Sequence, residues 1–382
     1  MRNTRRVVLS LFIIAVLMSI AATPAITTVA ATQESTAIMH RVFDAVAYLL
    51  PLSIDEDRFF DPSEQANIQN NINTLFESTK QLETHARGRD LEFALLSQSL
   101  SDTVGELKYY YEHDQPEYAQ SYLFDLTQRC VACHSRLPSA RDFPFAERLM
   151  DRVELDLLSL QGKAELQVAT RQFSDALSTW EALFADLMAD PIDIDIDGDL
   201  VDYLVVSIRV LHQLDRPKQT LEIFSRRPDL PFYIRRHLEV WLSGLEELSG
   251  ELGAPPNLQR ARTLFTQADD LSVFPAGRER VIQDLVVSSI LYRYIDEQEG
   301  RQEGADIAEA YYMLGVIEAR TVRPYWAVPQ VEFLFEAAIR AAPDGPFAKE
   351  AYAVLEEYSL LGSSSPQVLE RVEQLRQMVE PL

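Results

Sequence analysis

Apolar residues in the first third of the chain recur every three or four positions, which is the spacing of one face of an α-helix. Proline and glycine residues, which interrupt helices, divide this recurrence into separate segments. The pattern therefore predicts four helices, near 35–50, from Asp61, from Asp90, and from Gln115 to about Leu137. Their similar lengths and short connections favour an up-down-up-down bundle.

Each of the first three predicted helices has one face that would be buried. The expected inward residues are Met39, Val42, Phe43, Val46 and Leu50 in the first, Ile68, Ile72, Leu75, Thr79 and Leu82 in the second, and Phe93, Leu96, Leu100, Val104 and Leu107 in the third. In such a bundle the start of the first helix, the second turn and the end of the fourth helix share one end. We therefore expect Met39, His40 and His85 near the end of the fourth helix, and His113 at the far end.

From about Phe145 onward the chain continues helix after helix, and small and bulky residues recur at fixed offsets. The recurring segments are Phe173-x-x-Ala176-x-x-x-Trp180, Leu258-x-x-Ala261-x-x-x-Phe265-x-x-Ala268, Tyr311-x-x-Leu314-Gly315 and Phe335-x-x-Ala338. This pattern resembles the tetratricopeptide repeat, although Thr220 stands where alanine is expected. The resemblance implies an α-solenoid with a concave protein-binding surface. The predicted fold class is therefore all-α, a four-helix bundle followed by a tetratricopeptide-like solenoid.

The length and composition of the chain indicate how many domains to expect and which classes of partner are favoured. The chain has 382 residues, of which 47% are hydrophobic and 25% are charged, so we expect two globular domains, over 33–140 and 145–382. The formal net charge of −24 disfavours nucleic acid and anionic membrane surfaces as partners. It favours a protein partner with a basic docking face.

The N-terminus has the pattern of an export signal. Arg2, Arg5 and Arg6 precede an apolar run over 7–20, and small residues follow it. The run is short for a membrane span, so a cleaved signal peptide over 1–31 is favoured over an uncleaved N-terminal anchor. We therefore expect a periplasmic protein with no membrane span after cleavage.

The only cysteines of the chain form the segment Cys130-Val131-Ala132-Cys133-His134. C-x-x-C-H is the attachment motif of c-type haem, in which two thiols bond to the haem vinyl groups and the histidine ligates iron. Three other interpretations stay open. A thioredoxin-like pair requires its first cysteine at a helix N-terminus, a zinc site requires a fourth ligand, and a structural disulfide leaves His134 unexplained.

A four-helix bundle that ends in C-x-x-C-H resembles the class II c-type cytochromes, which comprise the cytochromes c′ and their low-spin relatives. The resemblance covers about the first third of the chain. It implies that Cys130 and Cys133 bind one haem c covalently and that His134 is the proximal iron ligand. Met39 matches the distal methionine of the low-spin relatives. The resemblance also implies a homodimer.

These observations favour an exported monohaem cytochrome that transfers electrons, with a second domain that docks a protein partner. One alternative is a sensor or carrier that binds nitric oxide or carbon monoxide at vacant iron. Leu137 and Pro138 count against it, because the cytochromes c′ usually have an aromatic and a basic residue at these places. Another alternative is an interaction scaffold with a structural haem. No catalytic constellation is evident, so we do not expect an enzyme.

One further segment carries candidate metal ligands. Asp193, Asp195, Asp197 and Asp199 alternate as in the first half of a calcium-binding loop, but leucine stands at the twelfth position, where calcium requires a bidentate glutamate. The alternative is an acidic loop in which Asp199 caps a helix that begins at Leu200.

Overall fold

The computed structural model describes residues 24–53, 56–87, 91–134, 158–268, 278–298, 303–321, 328–362 and 366–380. Within these ranges the chain forms helices and turns and contains no strand, so the predicted all-α class is confirmed. None of the helices in these ranges has the length and hydropathy that a membrane span requires. The predicted signal peptide over 1–31 lies outside the described residues, apart from the segment that begins at Pro24.

The N-terminal part consists of four long helices. They are α1 (Pro24–Leu49), α2 (Gln65–Ala86), α3 (Leu91–Glu112) and α4 (Pro116–His134). A 3-10 turn over Leu50–Ser53 and a single helical turn over Glu56–Phe59 connect α1 to α2. Each of the four helices packs on the next one along the chain.

Side-chain contacts show that neighbouring helices run in opposite directions. Ser35 Oγ, in the middle of α1, lies 2.7 Å from Nε2 of His85, near the end of α2. Tyr48, near the end of α1, donates to Glu64, the residue before α2. Lys108 Nζ in the last turns of α3 donates to Asn73 Oδ1 in the first half of α2, at 2.6 Å. The rings of Tyr110, near the end of α3, and Tyr118, near the start of α4, stack with centroids 5.4 Å apart. The four helices therefore alternate in direction.

The predicted inward face of α2 is confirmed, since all five expected residues are buried. The helix begins at Gln65 rather than at Asp61, because the Asp61 carboxylate accepts a hydrogen bond from the Ser63 amide at 2.8 Å and closes a separate turn. In α3, Leu100, Val104 and Leu107 are buried in the core of the four helices and Phe93 is half-buried against it. Leu96 is also buried, but in the core of the C-terminal helices.

The predicted inward face of α1 is partly wrong. Its fully buried positions are Ile38, Val42, Ala45, Ala47 and Leu49, whereas Met39, Phe43, Val46 and Leu50 are half-buried. The reason is that α1 has two packing partners. Its first face contacts the core of the four helices, and a second face contacts Leu158 and Leu166 of the following segment. A prediction that assumes a single buried face therefore fails for this helix.

Within the described ranges the C-terminal part contains eleven α- or π-helical segments and two short 3-10 turns, over Glu251–Gly253 and Arg278–Arg280. The eleven segments are α5 (Leu160–Ala169), α6 (Phe173–Ala185), α7 (196–210), α8 (Asp215–Ser225), α9 (Phe232–Glu247), α10 (Leu258–Ala268), α11 (Val281–Glu297), α12 (Ala305–Thr321), α13 (Val328–Ala341), α14 (Pro346–Gly362) and α15 (Pro366–Val379). Both ends of α7 are π-helical. Most consecutive helices pack together, and α6, α9, α10, α12 and α13 also contact the helix two places further on.

Residues of the recurring pattern are buried where these helices pack. Phe173, Ala176 and Trp180 are all buried in α6. A Cβ atom added at Gly315 of α12 would lie 2.8 Å from Cε1 of the buried Phe335 ring in α13. Only glycine allows this close approach of the two helices. The assignment of these helices to the tetratricopeptide class stays a prediction.

The two parts of the chain contact each other directly. Leu95 and Leu96 of α3 belong to the same apolar core as the C-terminal helices, α3 contacts α13, and α4 contacts α5. The predicted boundary between 140 and 145 lies outside the described residues.

Candidate cofactor site

The C-x-x-C-H motif forms the last turn of α4. Pro116 is the first residue of this helix, a position where its missing N–H costs nothing. Ala119, Leu123 and Leu126 are buried and fix the helix on the N-terminal core. Cys130, Cys133 and His134 then follow, each half-buried. Their spacing of three and four residues places them on one helical face.

His134 is oriented by a backbone group of the C-terminal part. Its Nδ1 lies 2.7 Å from the carbonyl oxygen of Ala169, the last residue of α5. A carbonyl oxygen only accepts hydrogen bonds, so Nδ1 carries the proton and donates it. The lone pair of the neutral ring is therefore on Nε2. This tautomer is the one that metal-ligating histidines usually adopt, with the other ring nitrogen bonded to a carbonyl or carboxylate.

The surroundings of His134 favour the neutral ring. The pKa of His134 is lowered to about 4, chiefly by burial and also by the positive charge of Arg171, while the bond to Ala169 acts in the opposite direction. The imidazole is therefore uncharged near neutral pH, as an iron ligand must be.

Arg171 lies in the turn between α5 and α6, close to His134. Its backbone has φ 63°, in the left-handed region that non-glycine residues seldom occupy. The Arg171 amide donates to the Val168 carbonyl at 2.9 Å, and the Gln172 amide donates to Gln167 at 2.7 Å. The half-buried guanidinium interacts electrostatically with both Cys133 and His134.

The two thiols lie in an apolar environment. Burial raises the pKa of Cys130 to about 12, and Cys133 packs against the core of the C-terminal part. In the structure the two cysteines are not joined in a disulfide. A reactive thiolate requires a lowered pKa, which a helix N-terminus provides. The motif lies at a helix C-terminus and its first thiol has a raised pKa, so these observations count against a thioredoxin-like pair.

The same three side chains do not have the arrangement of a zinc site. Among the described residues no group of three or more His, Cys, Asp or Glu side chains converges on one point. Zinc requires such convergence, whereas c-type haem uses two thiols at its periphery and one imidazole at its centre. The donor set, the shared helical face and the tautomer of His134, which places the lone pair on Nε2, therefore fit haem c.

The other residues predicted near the motif have mixed outcomes. The Nε2 of His85 contacts Ser35, the predicted start of the first helix, but α1 begins at Pro24, so this contact lies at the middle of α1. Met39 packs against the core of the N-terminal helices. His113 lies one residue beyond α3, at the opposite end. No described contact joins Met39 to His134, so its role as a distal ligand stays a prediction.

The acidic loop before α7 uses its carboxylates for structural contacts. Asp195, rather than the predicted Asp199, caps the helix and accepts from the Asp197 amide at 2.9 Å. Asp199 is buried in the first turn and accepts from the Asp195 amide at 3.2 Å. Asp197 forms a bidentate ion pair with Arg278, at 2.6 Å from its Nε. Calcium binding by Asp193 and these residues stays a prediction.

Two groups of the site were not predicted from the sequence. Ala169 acts through its backbone carbonyl, for which no residue type is a signal. Arg171 lies in a turn that contains no glycine, proline or asparagine, so nothing in the sequence indicates a left-handed residue there. Comparison with known proteins finds no matching family model, no matching curated protein and no matching solved structure.

Proposed function

We propose that this chain is an exported monohaem c-type cytochrome that transfers single electrons. The observation that carries the proposal is the last turn of α4, where two thiols and a neutral imidazole share one face and the bond to Ala169 leaves the imidazole lone pair on Nε2. Covalent haem c is attached after export, which agrees with the predicted signal peptide and periplasmic location.

Each residue of the site has a distinct role in this proposal. Cys130 and Cys133 would bond to the haem periphery, and Nε2 of His134 would ligate the iron. The bound haem supplies the one-electron chemistry. The bond from Nδ1 to Ala169 holds the ring in one tautomer and orientation, so little reorganisation accompanies a change of charge. Met39 is the proposed distal ligand.

The C-terminal helices are proposed to dock a protein partner, and an exposed apolar patch supports this. Its members are Leu187, Met188, Ile192, Ile223, Phe232 and Tyr233, and we call them the apolar patch. Met188 is 91% exposed and Phe232 is 78% exposed. Arg227 connects the segments that carry these residues. Its guanidinium donates to the carbonyls of Asp186 and Ala189, at 2.7 Å each, and so joins the loop after α6 to the turn before α9.

Charge favours one class of occupant for the apolar patch. Asp186, Asp190 and Asp193 are exposed in the loop that carries it, while Arg226 and Arg236 are exposed beside α8 and on α9. A second copy of this acidic chain or an anionic lipid surface would meet like charges at the loop. We propose a protein whose apolar docking face is flanked by lysine or arginine. Large exposed apolar side chains on neighbouring segments of a surface often belong to interaction sites.

A photo-crosslinking residue at position 188 tests the docking proposal. In cells, Met188→benzoylphenylalanine is expected to give one discrete crosslinked protein, identified by mass spectrometry, with basic residues beside the crosslinked peptide. The control carries the same residue at Gln374, which is exposed on α15. A crosslink to a second copy or to lipid, or equal crosslinking at both positions, would contradict the proposal.

The absorption spectrum, recorded with and without carbon monoxide, separates electron transfer from gas binding. If Met39 ligates the iron, the matured wild-type chain is six-coordinate and does not bind carbon monoxide, and Met39→Ala opens the site to it. A high-spin spectrum that binds carbon monoxide equally in both chains would replace the electron-transfer proposal with the gas-binding one.

A further inference from the structure

The α5–α6 turn is the part of the C-terminal region that reaches the candidate haem ligands. Ala169 ends α5 and accepts the hydrogen bond from His134, and Arg171 lies two residues later. Four backbone and side-chain bonds hold the turn: Thr170 donates to Leu166 from both its amide and its hydroxyl, Arg171 donates to Val168, and Gln172 donates to Gln167. The turn is therefore a rigid support.

We propose that this turn sets the reduction potential of the haem iron, with Arg171 as a positioning residue that supplies positive charge beside Cys133 and His134. The inference rests on the proposed function, because it requires haem at the motif. In this proposal, residues of the C-terminal part change the reduction potential of a haem that is attached to the N-terminal part.

The sign of the effect follows from electrostatics. Reduction adds one electron to the iron, which passes from iron(III) to iron(II), so the centre becomes less positive by one charge. A nearby guanidinium repels the oxidised centre more strongly than the reduced one, and therefore raises the potential. The interaction is large only where solvent screening is weak, and Arg171 is half-buried.

The backbone of Arg171 supports a role for its side chain. A residue held at φ 63° without being glycine indicates that something other than the turn geometry favours arginine there. Glycine would adopt the same conformation without strain. Glycine would lack the positive charge that Arg171 places two residues after Ala169, whose carbonyl oxygen lies 2.7 Å from Nδ1 of His134.

The test is spectroelectrochemical and uses the full chain with haem attached. Arg171→Gly is expected to keep the turn and to lower the midpoint potential by about 59 mV, which corresponds to a tenfold change in the one-electron equilibrium. Arg171→Lys is expected to restore most of the wild-type value, because the charge is kept. The control Arg260→Gln, an exposed arginine on α10, removes the same charge and is expected to leave the potential unchanged.

A second readout does not depend on haem. In the haem-free full chain, nitrogen-15 NMR of His134 is expected to show the proton on Nδ1 in both wild type and Arg171→Gly, because the acceptor is a backbone carbonyl. A proton on Nε2 would overturn the orientation by Ala169. An unchanged potential in Arg171→Gly, or an equal fall in Arg171→Lys, would overturn the role of the charge while leaving the proposed function intact. Absence of covalent haem in wild type would overturn both.

Discussion

A chain with Cys130→Ser and Cys133→Ser is expected to carry no covalent haem, whereas the wild type matured in a host that attaches haem c carries one. Serine matches the size of cysteine but cannot form a thioether, so the variant loses the bonds and keeps the shape of α4. Each single variant retains one thiol and is expected to attach haem with a much lower yield. The measurement is the mass of the denatured polypeptide, which retains only covalently bound haem.

Met39→Ala is the matched control for this experiment. It removes the proposed distal ligand without touching a thiol, so its denatured mass is expected to include the haem. Haem retained by the double serine variant would contradict attachment through the C-x-x-C-H motif. Circular dichroism of the haem-free chains should be equal, which separates loss of attachment from loss of folding.

Glu318→Ala is expected to reduce the free energy of unfolding of the C-terminal part by about 3–5 kcal/mol, the usual cost of leaving one member of a buried ion pair alone. Glu318 in α12 is bonded to Arg209 in α7, and their side chains are 0% and 5% exposed. Arg209 also lies over the ring of Tyr292 in α11, at 5.9 Å from its centroid. The pair therefore joins three helices. Denaturant unfolding followed by tryptophan fluorescence measures the change, since Trp180 and Trp241 are buried in this part.

Two further variants show whether the missing partner causes the loss. Arg209→Met combined with Glu318→Leu replaces the pair by apolar side chains and is expected to recover most of the stability, because no charge stays buried. Glu373→Ala breaks the half-exposed pair of Glu373 and Arg376 and is expected to cost less than about 1 kcal/mol. Equal losses from Glu318→Ala and Glu373→Ala would contradict this account of the buried pair.

The parts of the fold that the sequence predicted correctly are those in which one apolar stripe meets one core. All five inward residues of α2 follow this rule. The last turn of α4 was also predictable, because the helical spacing of its apolar residues continues into the C-x-x-C-H motif. In both cases local periodicity and tertiary packing agree.

Two elements were misplaced, one because of a contact with a residue distant in the chain and the other because of local helical geometry. The face of α1 is divided because Leu166 packs on one side of it. The capping residue before α7 is Asp195 rather than Asp199, since π-helical geometry starts the helix earlier. The periodicity of apolar residues encodes neither of these effects.

The candidate site, like the packing of α1, depends on a contact between residues that are distant in the chain. The motif proposed to bind haem is explicit in the sequence, but the groups that would orient and tune it come from the α5–α6 turn. A backbone carbonyl has no residue signature, and the left-handed conformation of Arg171 has none either. The proposed attachment of haem could therefore be predicted from the sequence. The proposed effect of the α5–α6 turn on the orientation of His134 and on the reduction potential could be inferred only from the fold.

A potentiometric titration of the matured wild-type chain, followed by optical absorption, tests the central claim most directly. The account predicts one covalently bound haem that is oxidised and reduced reversibly, with a slope of about 59 mV per tenfold change in the ratio of the two forms, as a one-electron centre requires. A chain without haem whose Cys130 and Cys133 instead titrate as a thiol pair, with the two-electron slope of about 30 mV, would contradict it.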